Sequence, residues 1–178
     1  KPQLIAVGRL ARQKGFDLLI PAFADFLKDF PAARLKILGA GPDRPALHKQ
    51  IQSLKLENAV NMPGSSSTVL AEVQAADIFV SSSRYEGFSN AILEAMALGC
   101  PIVATDCEGA TKDLVVDGRT GILVKANYVD ELAEGLRRAI LLDLRAIASR
   151  ARLHVQQNFE RARIVERYSD LFRTLLSK

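Results

Sequence analysis

Ala76-Asp77-Ile78-Phe79-Val80-Ser81-Ser82-Ser83-Arg84-Tyr85-Glu86-Gly87-Phe88-Ser89-Asn90-Ala91-Ile92-Leu93-Glu94 runs from an apolar strand, Ile78 to Ser81, through a polar loop into a helix whose first turn opens near Ser89. A short apolar block followed by apolar residues at helical spacing is a strand feeding a helix. Two acids, Glu86 and Glu94, stand eight positions apart and bracket the helix start. Backbone N–H groups at a helix N-terminus lack intrahelical partners and attract anions. A carboxylate on each side of such a site is costly unless it has a task, because like charges repel and the helix dipole offsets only part of that. A ligand carrying both phosphate and hydroxyl groups gives both acids a task.

The alternation extends in both directions. Gln3 to Val7 is a strand, Asp17 to Asp29 an amphipathic helix closed by Pro31, and Arg34 to Leu38 the next strand. After the Gly39-Ala40-Gly41-Pro42 turn come a helix through about Leu54, a weak strand near Ala59 to Met62 and a helix from Thr68 to Gln74. Beyond the opening segment, helix Asn90 to Leu98, strand Pro101 to Thr105 and strand Ile122 to Val124 precede three closing helices. The pattern predicts an α/β, Rossmann-like three-layer fold, a parallel sheet with helices on both faces. Ligands of such sheets lie beyond the carboxyl ends of the strands. Five polar loops fall there: Gly8 to Gly15, Gly39 to Asp43, Pro63 to Ser67, Ser81 to Ser89 and Asp106 to Thr111.

With 178 residues, 48% of them hydrophobic, and no internal linker, residues 1–178 form one domain. A chain of this size buries roughly 70% of its unfolded surface. Cys100 and Cys107 form no metal-ligand spacing with His48 or His154 and read as reduced cytosolic thiols. No apolar run reaches the length of a membrane span. Of the 24 basic residues, 10 lie from Arg137 onward, with Arg163, Arg167 and Arg173 on the last helix. Such a face is solvated or meets an anionic surface, and no aromatic platform accompanies it for single-stranded nucleic acid. The helix from Glu160 to Leu176 carries Ile164, Tyr168, Leu171, Phe172 and Leu175 at helical spacing, to pack on this domain or to meet a partner it lacks here.

Gly8-Arg9-Leu10-Ala11-Arg12-Gln13-Lys14-Gly15 ends a strand in glycine and offers Arg9 and Lys14 to a diphosphate, one with forked geometry and one as a point charge. Gly39-x-Gly41 begins like a dinucleotide fingerprint but no third glycine stands at Arg44, so a tight turn explains it equally well. No Asp-x-Asp, Gly-x-Ser-x-Gly or P-loop pattern occurs, which leaves metal-diphosphate binding, serine hydrolysis and P-loop phosphoryl transfer without residues to perform them. His48 and His154 read as surface histidines.

Together these segments resemble the donor-binding lobe of retaining glycosyltransferases of family 4, which have the two-lobed GT-B architecture. Gly8-Arg9-Leu10, Lys14-Gly15, Gly39 to Pro42, Val60 to Gly64, Ala76 to Val80 and above all Glu86 to Thr105 carry the resemblance. It implies that Arg9 and Lys14 hold the donor diphosphate and stabilise the leaving group, and that Glu86 lies near the donor sugar. Glu94 would accept hydrogen bonds from the ribose hydroxyls. Gly8, Gly41, Gly64, Gly87, Phe88, Ser89 and Asn90 would complete the donor site, with the nucleobase against the Met62 to Ser65 turn. Met62-Pro63 and Val73 depart from the family's usual residues, and the 106–113 segment lacks its usual glycine pair, with the acidic residue one place late. The resemblance further implies a UDP- or GDP-type sugar donor, no required cofactor, no metal and no nucleic acid partner. The acceptor, a glycan, lipid or small molecule, would come from an N-terminal lobe upstream, toward which the 160–178 helix would cross. The chain would be cytoplasmic, with peripheral contact at the inner face of a membrane, and would transfer no sugar alone. Other readings are a related GT-B enzyme, an epimerase or phosphorylase, and a non-catalytic nucleotide-binding module.

Overall fold

The computed structural model describes residues 1–176; Ser177 and Lys178, the tail of the helix expected at 160–178, lie outside the described residues. In chain order the strands are β1 (Gln3–Val7), β2 (Arg34–Leu38), β3 (Val60–Gly64), β4 (Ile78–Ser81), β5 (Tyr85–Glu86), β6 (Ile102–Asp106), β7 (Glu108–Gly109) and β8 (Ile122–Lys125). The helices are α1 (Phe16–Phe26), α2 (Arg44–Ser53), α3 (Val69–Gln74), α4 (Asn90–Ala97), α5 (Thr111–Leu114), α6 (Val129–Leu141), α7 (Leu144–Phe159) and α8 (Arg161–Leu176). Six strands form one sheet in the order β3-β2-β1-β4-β6-β8, and every neighbouring pair is parallel. β5 and β7 form a separate two-stranded parallel pair.

Successive side chains of a strand point to opposite faces, and the sheet has a core on each. Leu4, Ala6, Ile78, Val80 and Val103 face α1, α2 and α6, while Ile5, Phe79, Ile102 and Ala104 face α3, α4 and α7. This double burial is why the central strands β1, β4 and β6 read as short apolar blocks, while β2 and β3 carry Lys36 and Asn61 between buried residues. α1 starts one residue earlier than expected and stops at Phe26, giving way to turns before Pro31. Pro21 inside α1 has no N–H for the Asp17 carbonyl; the Gln50 side-chain amide donates to that carbonyl instead, at 2.9 Å, and ties α2 to α1.

The last helix departs from the packed alternative. α8 meets α7 and buries none of its residues, and Tyr168 and Phe172 are each 59% exposed. No described helix is long and apolar enough to cross a membrane. Both cysteines are free and buried, and burial pushes the Cys100 thiol up to about 12.

Numbering along the sheet reverses direction between β1 and β4. β1 leads through α1 toward β2 on one side, while β4 leads through α4 toward β6 on the other. Loops leaving two adjacent strands in opposite directions leave a crevice between them, the place where ligands of open α/β sheets sit.

Candidate functional site

The 8–15 and 82–89 loops line this crevice, and several hydrogen bonds lock them together. Gly15 is left-handed at φ 63°, and a Cβ there would stand 2.1 Å from the Ser82 carbonyl oxygen, so only glycine lets the chain turn into α1 at this spot. Ser82 Oγ donates to the Lys14 carbonyl at 2.8 Å, and the Arg84 N–H donates to the Gln13 carbonyl at 2.8 Å. The Arg84 guanidinium grips Asp17 with two bonds of 2.7 Å and also donates to the Arg12 carbonyl at 2.8 Å. Burial pushes the Asp17 carboxyl up, but the hydrogen bonds and charge of Arg84 outweigh it and hold the carboxyl below its ordinary 3.8.

Within this frame Lys14 Nζ is ion-paired to Glu86 Oε1. Ser83 Oγ donates to the same carboxylate oxygen at 2.8 Å, and the Thr105 hydroxyl donates to the Ser83 carbonyl at 2.6 Å. Glu86 is 7% exposed, and Ser83 and Thr105 are buried beside it. Gly8 makes room for the cation: a Cβ there would come within 3.0 Å of Lys14 Cε and 3.1 Å of Cδ. On the other side, β7 pairs with β5 in the register Glu86 to Gly109, bringing the 106–113 segment against the acid.

Arg9 is exposed at the rim, and its side chain has no hydrogen-bond or ion-pair partner among the described residues. Ser89 caps α4, accepting from the Ile92 N–H at 3.5 Å, while Asn90 opens the helix at the surface. Gly87 is exposed with open space around it. Phe88, half exposed, leans on Phe159 at the end of α7 with ring centroids 5.9 Å apart. Glu94 is exposed in α4, one turn beyond the cap.

A cavity of about 190 Å³ opens next to Arg9, walled by Gly8, Gly39, Ala40, Ser65 and Ser66. Its far wall is braced by Glu72, which bonds Ser66, Thr68 and Lys36; the Ser66 hydroxyl first, then Lys36, holds that carboxyl below its ordinary value. Gly64, at φ 105°, ends the strand beside Arg44, which donates to the Met62 carbonyl at 2.8 Å. Gly41 is needed by the fold itself, since a Cβ there would lie 2.2 Å from the Leu10 carbonyl oxygen. A larger cavity of about 550 Å³ lies at the opposite ends of β1, β2 and β3, against Lys36 and Glu72.

The crevice thus brings Gly8, Lys14 and Glu86 together, with Arg9 on the same loop beside the adjoining cavity, the α4 N-terminus a few residues after Glu86, and Gly41 and Gly64 shaping neighbouring loops. Among the described residues no three His, Cys, Asp or Glu side chains stand together as a metal site. One expectation needs correction: His154 is half-buried, not a free surface histidine. Its ring packs edge-on against Phe159 and lies near Asn158, and its Nε2 is enclosed without a partner among the described residues. Ala151, three positions earlier on the same face of α7, is buried in the core, which draws the ring inward. Sequence reasoning also missed Ser83, Thr105, Asp17, Arg84 and Gly109. The signal open to it was the run Ser81-Ser82-Ser83, hydroxyls at the end of an otherwise apolar strand.

The geometry, a cation paired with a buried carboxylate, a second exposed cation on the same loop and a helix N-terminus a few residues on, suits a ligand with a diphosphate beside a polyol. Residues 1–155 match the family described as Glycosyl transferases group 1. The chain is 32% identical over 136 residues to poly(glycerol-phosphate) alpha-glucosyltransferase of Bacillus subtilis, which covers 76% of this chain and 20% of that protein. Among solved structures, a TarM variant of S. aureus in complex with Fondaparinux, alpha-GlcNAc-glycerol and UDP superposes with a TM-score of 0.89 at 26% identity. That match covers 97% of this chain and 35% of TarM. HepE of Anabaena in complex with UDP superposes with a TM-score of 0.88 at 28% identity, over 97% of this chain and 48% of HepE. The chain spans less than half the length of each of these three proteins. Its fold is that of GT-B glycosyltransferase lobes, and with the family match running from its first strand through most of α7, the chain belongs to the group 1 glycosyl transferases.

Proposed function

We propose that this chain is the donor-binding half of a retaining glycosyltransferase that takes a sugar from a UDP-sugar. The observation that carries this reading is the Lys14–Glu86 pair at the β1–β4 reversal, with Arg9 on the loop that bears Lys14 and the start of α4 just beyond Glu86. Arg9, unpartnered among the described residues, and Lys14 clamp the diphosphate, while N–H groups near Phe88, Ser89 and Asn90 add donors. These groups stabilise the negative charge that grows on the nucleoside diphosphate as the glycosidic bond breaks, so departure is driven electrostatically. Glu86 accepts from the sugar hydroxyls and favours positive character at the anomeric carbon. Glu94 takes the ribose, and the base lies toward the Ser65 and Ser66 wall. UDP in the TarM and HepE complexes supports a uridine donor over a guanosine one.

The acceptor, a glycan or lipid, is supplied by a lobe outside this chain, and the bare apolar stripe of α8 supports a crossing back to it. Arg163, Arg167 and Arg173 on that helix are exposed and suit peripheral contact with an anionic membrane face. A thermal-shift panel of UDP, GDP and ADP sugars tests the assignment. UDP compounds should raise Tm most, and Arg9→Ala with Lys14→Ala should abolish the rise. Binding that survives the double substitution removes the diphosphate assignment, and sugar transfer by the 178-residue chain alone refutes the missing-lobe reading.

A further inference from the structure

In the free protein the diphosphate cation and the sugar-facing acid are already bound to each other. Lys14 Nζ lies on Glu86 Oε1, its stem laid across Gly8, and Ser83 fixes the same oxygen from the other side. Thr105 in turn pins the Ser83 carbonyl, anchoring the loop that carries both Ser83 and Glu86. Glu86 is 7% exposed. A buried carboxylate stripped of its cation is poorly compensated by one hydroxyl.

From this we infer that Glu86 competes with the donor's diphosphate for Lys14, and that the donor sugar relieves the competition. The inference rests on the donor-binding reading above. When UDP alone enters, Lys14 must turn from Glu86 to the phosphates and leave the acid with Ser83 as its remaining side-chain donor. When a UDP-sugar enters, hydroxyls of the sugar donate to Glu86 in place of Lys14, so the same cation moves without stranding a buried charge. The intact donor is favoured over the spent nucleotide beyond what the sugar's own contacts supply. After transfer, Glu86 loses its sugar partners and draws Lys14 back, which weakens the hold on UDP. The ion pair is therefore a specificity device that separates substrate from product at a single carboxylate.

Calorimetric titration of the chain with UDP and with the UDP-sugar that binds tightest in the panel tests this. Glu86→Gln keeps the shape but removes the charge that holds Lys14. It should tighten UDP by about fivefold, roughly 1 kcal/mol, while leaving the UDP-sugar unchanged or weaker, so the preference for the sugar form collapses. Glu86→Asp, which withdraws the carboxylate by one methylene, should shift UDP the same way and decides the matter if the glutamine variant fails to fold. UDP binding that is unchanged or weakened in the folded variant overturns the competition and leaves donor binding standing. If the unsubstituted chain binds no UDP, GDP or ADP compound, the donor-binding reading falls and the competition with it.

Discussion

Gly15 is where the first strand's loop and the fourth strand's loop touch, and both its absent side chain and its left-handed backbone are required there. Gly15→Ala should lower stability by about 2 to 4 kcal/mol, the sum of a strained φ and a displaced neighbour, read by urea unfolding. A loss below about 0.5 kcal/mol would mean the loops separate freely. The structure pairs Lys14 with Glu86, two charged residues on polar loops after strands that the sequence already singles out, though the loop cations alone are a weak signal without the surrounding motif. The residues that brace them are not singled out. Arg84 and Asp17 are 67 positions apart, and nothing local to either announces the other. Ser83 owes its place to a 2.8 Å bond to Glu86 formed within an irregular loop, where no period reveals it.

β1, β4, β6 and β8 were legible as elements because burial on both faces writes them as short apolar runs, Leu4 to Val7, Ile78 to Val80, Ile102 to Ala104 and Ile122 to Val124, whereas β2 and β3 interleave polar residues at Arg34, Lys36 and Asn61. β5 and β7 are two residues each, too short for any period, and arise because Gly109 at φ 120° allows the chain to lie against the Glu86 backbone. α5, four residues long, escaped for the same reason. The clamp between the β4 loop and α1 carries a pH signature. Asp17 titrates below its ordinary 3.8 in the folded chain, so its contribution is complete above that value and is lost as pH falls through the lowered one. Unfolding midpoints followed from pH 5 to pH 2 should fall less steeply in Asp17→Asn than in the unsubstituted chain. Equal slopes would show that the Arg84 pair adds nothing.

Across the whole molecule, the parallel architecture and the ligand rim followed from the alternation of elements, whereas the state of α8 did not. Its apolar stripe fitted two futures, packing here or elsewhere, and periodicity alone does not choose between them. The bare face makes α8 nearly independent of the sheet: a 16-residue helix held by α7 is marginal in water. Deleting residues 161–178 should change the unfolding free energy of the remainder by less than about 1 kcal/mol, measured by urea titration; a larger loss would reveal packing that its exposed side chains do not suggest. Cys100, closing the turn between α4 and β6, gives the domain a built-in clock. Buried, and with its thiol pushed up to about 12, Cys100 is held in the unreactive protonated form at neutral pH. Alkylation of Cys100 should then wait for α4 to lift from the sheet, so labelling kinetics time the breathing of the helix that opens just beyond Glu86, and a nucleotide bound as proposed should slow the clock.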